Sequence, residues 1–121
     1  MRFPRIYTDE QGETTSVSVT CRSMRPRSAA AKPRGAMTDR EAVSSFVTFS
    51  APAGTKMPSH NAPQPYIWIV LSGEGEVEAS DGTTARLGPG GLIYCDDVSG
   101  KGHITRSIID LHVAFINRAS A

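Results

Sequence analysis

The sequence predicts an all-β domain, a double-sheet jelly roll closed into a small barrel. Three observations predict it. Short β-branched and aromatic runs recur between Gly-, Pro- and Asp-Gly-containing turns, the punctuation of a sandwich or barrel. Eleven Gly and eight Pro among 121 residues supply the corners such a fold needs. No stretch carries the apolar period of an amphipathic helix.

Residues 1–15 read as a polar N-terminal arm whose large apolar groups are Phe3, Ile6 and Tyr7. Such an arm either frays or lies along a sheet edge. The alternation over Ser16–Cys21 predicts a first strand. Residues 22–40 then change character, with Arg22, Arg25, Arg27, Lys32, Arg34 and Arg40 set against Asp39 and broken by Pro26, Pro33 and Gly35. They read as a basic surface loop, since a nucleic-acid-binding arm would carry interleaved aromatics and a partner motif.

The barrel core is expected over 41–117. Glu41–Ser50 places Val43, Ser45, Val47 and Phe49 on one face of a strand. Lys56–His60 follows, with Pro58 marking an edge or a bulge. Tyr66–Leu71 has no polar residue and is expected to be covered on both faces. Ser72-Gly73-Glu74-Gly75 predicts a turn before a strand at Glu76–Ser80, and Asp81-Gly82 predicts the hairpin into Thr83–Leu87. Gly88-Pro-Gly-Gly91 makes a corner before Leu92–Cys95, a loop is expected from Asp96 to Gly102, and His103–Ile109 and Leu111–Asn117 supply the last strands.

The length suits one domain spanning 1–121 with a core of its own. A net charge of +1 points to neither nucleic acid nor an anionic membrane as partner. The opening residues lack the apolar run of a signal peptide, and Tyr66–Leu71, the longest apolar run, is too short to span a bilayer. Cys21 and Cys95 form no disulfide framework and lack metal-ligand spacing. The expectation is a reduced, cytoplasmic protein.

Two stretches resemble the paired motifs of the cupin superfamily, G-x5-H-x-H-x3,4-E-x6-G and G-x5-P-x-G-x2-H-x3-N. Gly54 and His60 match the opening glycine and first histidine, and Gly73 the closing glycine; Ala62 and Tyr66 stand at the second-histidine and glutamate positions. Gly90 begins the second motif and Gly100-Lys-Gly-His103 matches its G-x2-H end, while Asp96-Asp-Val-Ser replaces the proline approach and Ser107 the asparagine. The chain is thus similar to small single-domain bacterial cupins with a degenerate metal motif. That resemblance implies a jelly-roll barrel holding a small organic ligand, often around Fe, Mn, Zn or Ni, and a homodimer. Of the expected metal ligands only His60 and His103 are present, with His112, Gln64, Asp96 or Asp97 as third-ligand candidates away from the family positions.

With His60 facing inward, period-two alternation turns Ala62 inward, groups Tyr66 with Trp68 and Val70, and groups His103 with Thr105 and Ser107. His112, Ala114 and Ile116 are expected to line the last strand. His60, His103 and Tyr66 are the candidate catalytic residues, an imidazole serving as base and the phenol as acid or oxyanion donor. Trp68, Gln64, Thr105 and His112 are the candidate substrate contacts. Cys95 reads as a buried small hydrophobe without a base beside it, and Asp96 and Asp97 as solvated loop acids. Three functions fit: a cofactor-free isomerase, cyclase, epimerase or lyase on a small carbonyl, carboxylate or aromatic compound; a metal-dependent enzyme such as a dioxygenase using His60 and His103; and a non-catalytic small-molecule binder or sensor.

Overall fold

The computed structural model describes residues 2–20, 25–26, 36–37 and 39–119. Most of the basic segment 22–40, and Cys21, lie outside them. Among the described residues ten strands form: β1 (Arg2–Thr8), β2 (Thr14–Thr20), β3 (Arg25–Pro26), β4 (Ala36–Met37), β5 (Val43–Ala51), β6 (Lys56–His60), β7 (Tyr66–Ala79), β8 (Thr84–Leu87), β9 (Leu92–Cys95) and β10 (His103–Arg118). Among the described residues there is no helix, and so none long and apolar enough to cross a membrane.

The spine is the antiparallel pair β7–β10, in register from Tyr66 against Asn117 to Ala79 against His103. At one end it is flanked by β9, which pairs with β7, and by β5, which pairs with β10. At the other end β8 pairs with β7 and β6 with β10. Each spine strand therefore serves both layers of the jelly roll. The β1–β2 hairpin extends the first layer, with β1 running parallel to β9.

Two expectations are corrected by this continuity. The turn expected at Ser72–Gly75 is the interior of one 14-residue strand, and the last two strands are one of 16 residues. The irregularity survives as register shifts between Ser107 and Ile109, Ile109 and His112, and His112 and Val113. Gly73 makes the corner possible. Its φ is +84°, and a Cβ there would sit 1.9 Å from the Asp110 carbonyl oxygen.

Side chains alternate as strands require. Tyr66, Trp68 and Val70 of β7, Ile93 and Cys95 of β9, and Ile6 of β1 meet Leu111 and Val113 of β10 in one core, with Phe49 and Phe115 packed against it. Phe115 sits edge-on to both Tyr66 and Trp68. β5 is the exception: Val43, Phe46 and Val47 are exposed, Phe46 by 63%.

Candidate functional site

The polar interior is built where the start of β7, the end of β9 and the start of β10 converge. Tyr66 opens β7 directly opposite Cys95, the last residue of β9. The alternation that buries Ile93 and Cys95 runs one step beyond the strand and buries Asp97 completely. Its backbone is held there on both sides: the Asp96 N–H donates to the Ile6 carbonyl at 2.8 Å, and the Ala62 N–H to the Asp97 carbonyl at 3.1 Å. Across this corner His103, 1% exposed, begins β10.

These residues form a chain. His103 Nδ1 lies 2.5 Å from Asp97 Oδ2, with both side chains fully buried. An Nδ1–H donated to that carboxyl leaves Nε2 as the acceptor for the Tyr66 hydroxyl, 3.4 Å away. The second carboxyl oxygen of Asp97, Oδ1, is buried without a hydrogen-bond partner, a costly arrangement in a low-dielectric interior. Burial, then the neighbouring Cys95 and Asp97, push the Tyr66 phenol well above its ordinary pKa, so it keeps its proton. Burial and then the Asp97 charge likewise raise the Cys95 thiol.

The expected site residues divide. His103, Tyr66, Trp68 and Thr105 all face the interior, Thr105 on the same side of β10 as His103. His60 is exposed, with its ring centroid 4.5 Å from that of His103, and its Nδ1 bonds to the Pro58 carbonyl at 2.8 Å. It covers His103 from the solvent side. Gly102 permits this approach, since a Cβ there would come within 2.5 Å of the His60 carbonyl oxygen. Ala62 is buried although His60, two residues before it, is exposed, because Ala62 lies beyond the end of β6 where the strand alternation no longer holds.

Gln64 is corrected: its amide donates to Ser44 Oγ at 3.0 Å and to the Arg118 carbonyl at 3.5 Å, so it braces β5 rather than the interior. His112 is corrected too. His103, Thr105, Ser107, Leu111 and Val113 are buried and share one parity along the continuous strand β10, so His112 falls on its other side. Ser107 is inward but already engaged, donating to the Pro52 carbonyl at 2.5 Å and accepting the Thr55 N–H at 3.0 Å.

The largest correction concerns the two aspartates and Cys95. Neither Asp is a solvated loop acid. Asp97 is a core residue, and Cys95 has Asp97 and His103 beside it, donor atoms of all three lying within 4.8 Å of one another. Such a buried group could hold a metal ion. Asp96 points outward, where Arg5 Nε and Arg118 Nη1 each bond to it at 2.7 Å. This clamp ties both ends of the chain to the turn that carries Asp97. Asp96→Ala is expected to cost about 1 kcal/mol, because both arginines are partly exposed and screened; the shift in urea midpoint measures it. A signal for Asp97 was present: Ile93, Cys95 and Asp97 share one period-two face.

The family metal positions do not fit a mononuclear centre here. Ala62 and Tyr66 supply neither imidazole nor carboxylate, and His60 is exposed and turned to a backbone carbonyl.

An all-β jelly roll with a buried polar cluster at the mouth of one layer defines the class, and solved structures give it a name. A cupin domain from Bordetella pertussis Tohama I matches 68% of this chain and 86% of its own, at TM-score 0.50 and 20% identity. A cupin-2 domain protein from Shewanella frigidimarina NCIMB 400 matches 61% and 69%, at TM-score 0.50 and 16% identity. The DMSP lyase DddQ from Ruegeria pomeroyi DSS-3 is 28% identical at TM-score 0.53, over 62% of this chain and only 38% of that one. No protein-family model matches the chain, and no curated protein matches it by sequence. The protein is a small cupin-fold protein.

Proposed function

We propose that this is a small-molecule enzyme working by general acid–base catalysis, with His103 as the proton-carrying base and Tyr66 as the oxyanion donor. The observation that carries the reading is the buried chain from Asp97 through His103 to the Tyr66 hydroxyl, with contacts of 2.5 and 3.4 Å. A carboxyl on Nδ1 orients the ring and stabilises the imidazolium that forms when Nε2 takes a proton. The fitting substrate class is a small carbonyl or carboxylate compound with an acidic C–H. His103 Nε2 takes the proton from that carbon, and the C–H electron pair forms an enolate or expels a β-substituent. The Tyr66 O–H keeps its proton and donates a hydrogen bond to the developing oxyanion, while the proton held by His103 returns to the product or passes to the departing group. Trp68 and Phe115 form the apolar wall beside Tyr66, and exposed His60 stands on the solvent side of His103. Similarity to a DMSP lyase supports elimination among these outcomes.

The test is an NMR assay in D2O over a panel of β-substituted carboxylates, DMSP included, with simple keto acids alongside. The expected result is deuterium entering the α-carbon, or an eliminated product, with wild-type protein and not with His103→Gln. Exchange that persists in His103→Gln, or none with any member of the panel, rejects the assignment.

A further inference from the structure

Three buried donors of different chemistry converge, and one of them, Cys95, has no part in the proposed acid–base role. Cys95 contributes a thiol, Asp97 a carboxyl and His103 an imidazole, and their ligating atoms lie within 4.8 Å of one another. All three residues are buried, and among the described residues no Lys or Arg is bonded to Asp97. The unpartnered Asp97 Oδ1 is a second and separate observation. An isolated carboxyl oxygen with no donor is rare in a protein interior, and a cation is the partner that would satisfy it. The donors come from two strands: Cys95 ends β9, Asp97 lies just beyond it, and His103 begins β10.

We propose that Cys95, Asp97 and His103 bind a thiophilic divalent cation of the zinc class. Of the cupin motif's ligand positions only His103 takes part; the other two donors belong to the end of β9 and the turn after it. The donor set decides the metal. One thiolate with one imidazole and one carboxylate suits zinc or cobalt, whereas magnesium and calcium want oxygen donors alone. Three protein ligands leave a fourth position open, the pattern of a site that can still bind water or substrate.

Tetrahedral zinc holds such donors about 3.3–3.6 Å apart. Loading would therefore open the 2.5 Å contact between Asp97 and His103 so that both could reach the metal beside the Cys95 sulfur. The S–H bond breaks as the sulfur–metal bond forms, and that proton leaves to solvent. The imidazole proton passes from Nδ1 to Nε2, where the Tyr66 oxygen can accept its hydrogen bond. The loaded form thus removes the free Nε2 that the acid–base chain uses, so zinc is an inhibitor if that chain is the catalyst. The binding itself does not depend on the proposed reaction.

Cobalt(II) tests the site without any substrate. Full-length protein, purified without a metal-affinity step and stripped with chelator, is titrated with the metal and followed by absorbance. One cobalt per chain is expected, with a thiolate-to-metal charge-transfer band and the intense visible bands of four-coordinate cobalt. Cys95→Ser should abolish the charge-transfer band, Asp97→Asn should weaken affinity at least about tenfold, and His60→Ala and Cys21→Ser should leave the band in place. Should Cys95→Ser fail to fold, Asp97→Asn and the zinc dependence of Tm in wild type still decide. A band that survives Cys95→Ser, one lost in His60→Ala or Cys21→Ser, or unchanged affinity in Asp97→Asn would overturn the site, as would no binding by folded wild type. These readouts are separate from deuterium exchange, so failure of either assignment is visible without the other.

Discussion

Tyr66→Phe is expected to lower turnover about 10²–10⁴-fold while leaving the protein folded. That loss corresponds to about 3–5 kcal/mol of barrier. Phenylalanine keeps the ring that stands edge-on to Phe115, with centroids 5.3 Å apart, and so keeps the packing of the cluster. It deletes the hydroxyl that reaches His103 Nε2 at 3.4 Å. The stability cost is that of one lost hydrogen bond at a buried site, about 1 kcal/mol. The kinetic effect therefore exceeds the thermodynamic one severalfold, and the two are separable. Measuring kcat beside the urea midpoint checks this; turnover within threefold of wild type would show that the hydroxyl serves packing rather than chemistry.

Gly73→Ala is expected to be the most damaging single methyl in the domain. The backbone there is left-handed, at φ +84°, which costs a non-glycine residue about 1–2 kcal/mol by itself. The added Cβ would also lie 1.9 Å from the Asp110 carbonyl oxygen and 3.0 Å from Leu111 Cα, both backbone atoms of the paired strand. Relief requires β7 and β10 to separate at the corner where the two layers meet, so a total loss of about 4 kcal/mol or more is expected. Gly82→Ala is the control. It shares the left-handed conformation, at φ +88°, but a Cβ there meets nothing within 4 Å. Chemical denaturation of the pair separates the conformational cost from the collision, and equal effects would remove the collision from the account.

Much of the architecture was legible because local chemistry and pairing agree. Lys56–His60 forms the strand expected of it despite Pro58, which falls on β6, a strand paired on one side only. Of the apolar run expected to be covered, Tyr66 to Val70 is covered but Leu71 is 49% exposed, and Asp81-Gly82 turns the hairpin between β7 and β8. What escaped has a common cause: punctuation residues and charges are ambiguous without their partners. Gly73 and Gly75 signal a turn, yet with β10 alongside they make a corner inside one strand. His112 reads as lying on the inner face of a separate last strand, but it belongs to one continuous β10 whose buried positions 103, 105, 107, 111 and 113 leave it on the opposite face. Asp97 reads as a solvated acid because charge usually means water; only the continued alternation from Ile93 and Cys95 argued otherwise.

At the site, Tyr66 and His103 were legible from position in a motif, and their meeting needed the fold. In the sequence Asp97 stands only as one of several ligand candidates and Cys95 only as a buried small hydrophobe, because both lie where the motif is degenerate and has no ligand to point at. Gln64 and His112 were misassigned for an opposite reason, since a polar side chain near a motif looks functional until its actual partner is known. The partners of Gln64 are Ser44 and the Arg118 backbone.

The arrangement of β10 has a consequence for biosynthesis. This last strand is the only described neighbour of both β5 and β6, and it contributes the histidine on which the polar cluster turns. A ribosome translating the chain releases β5 and β6 long before residues 103–118 emerge, so those strands wait with bare edges and β5 with Phe46 uncovered. Closure waits on residues 103–118 and joins distant segments at once, the kind of topology that folds in milliseconds to seconds rather than microseconds. During that interval the growing polypeptide is most open to adhesion and chaperone capture.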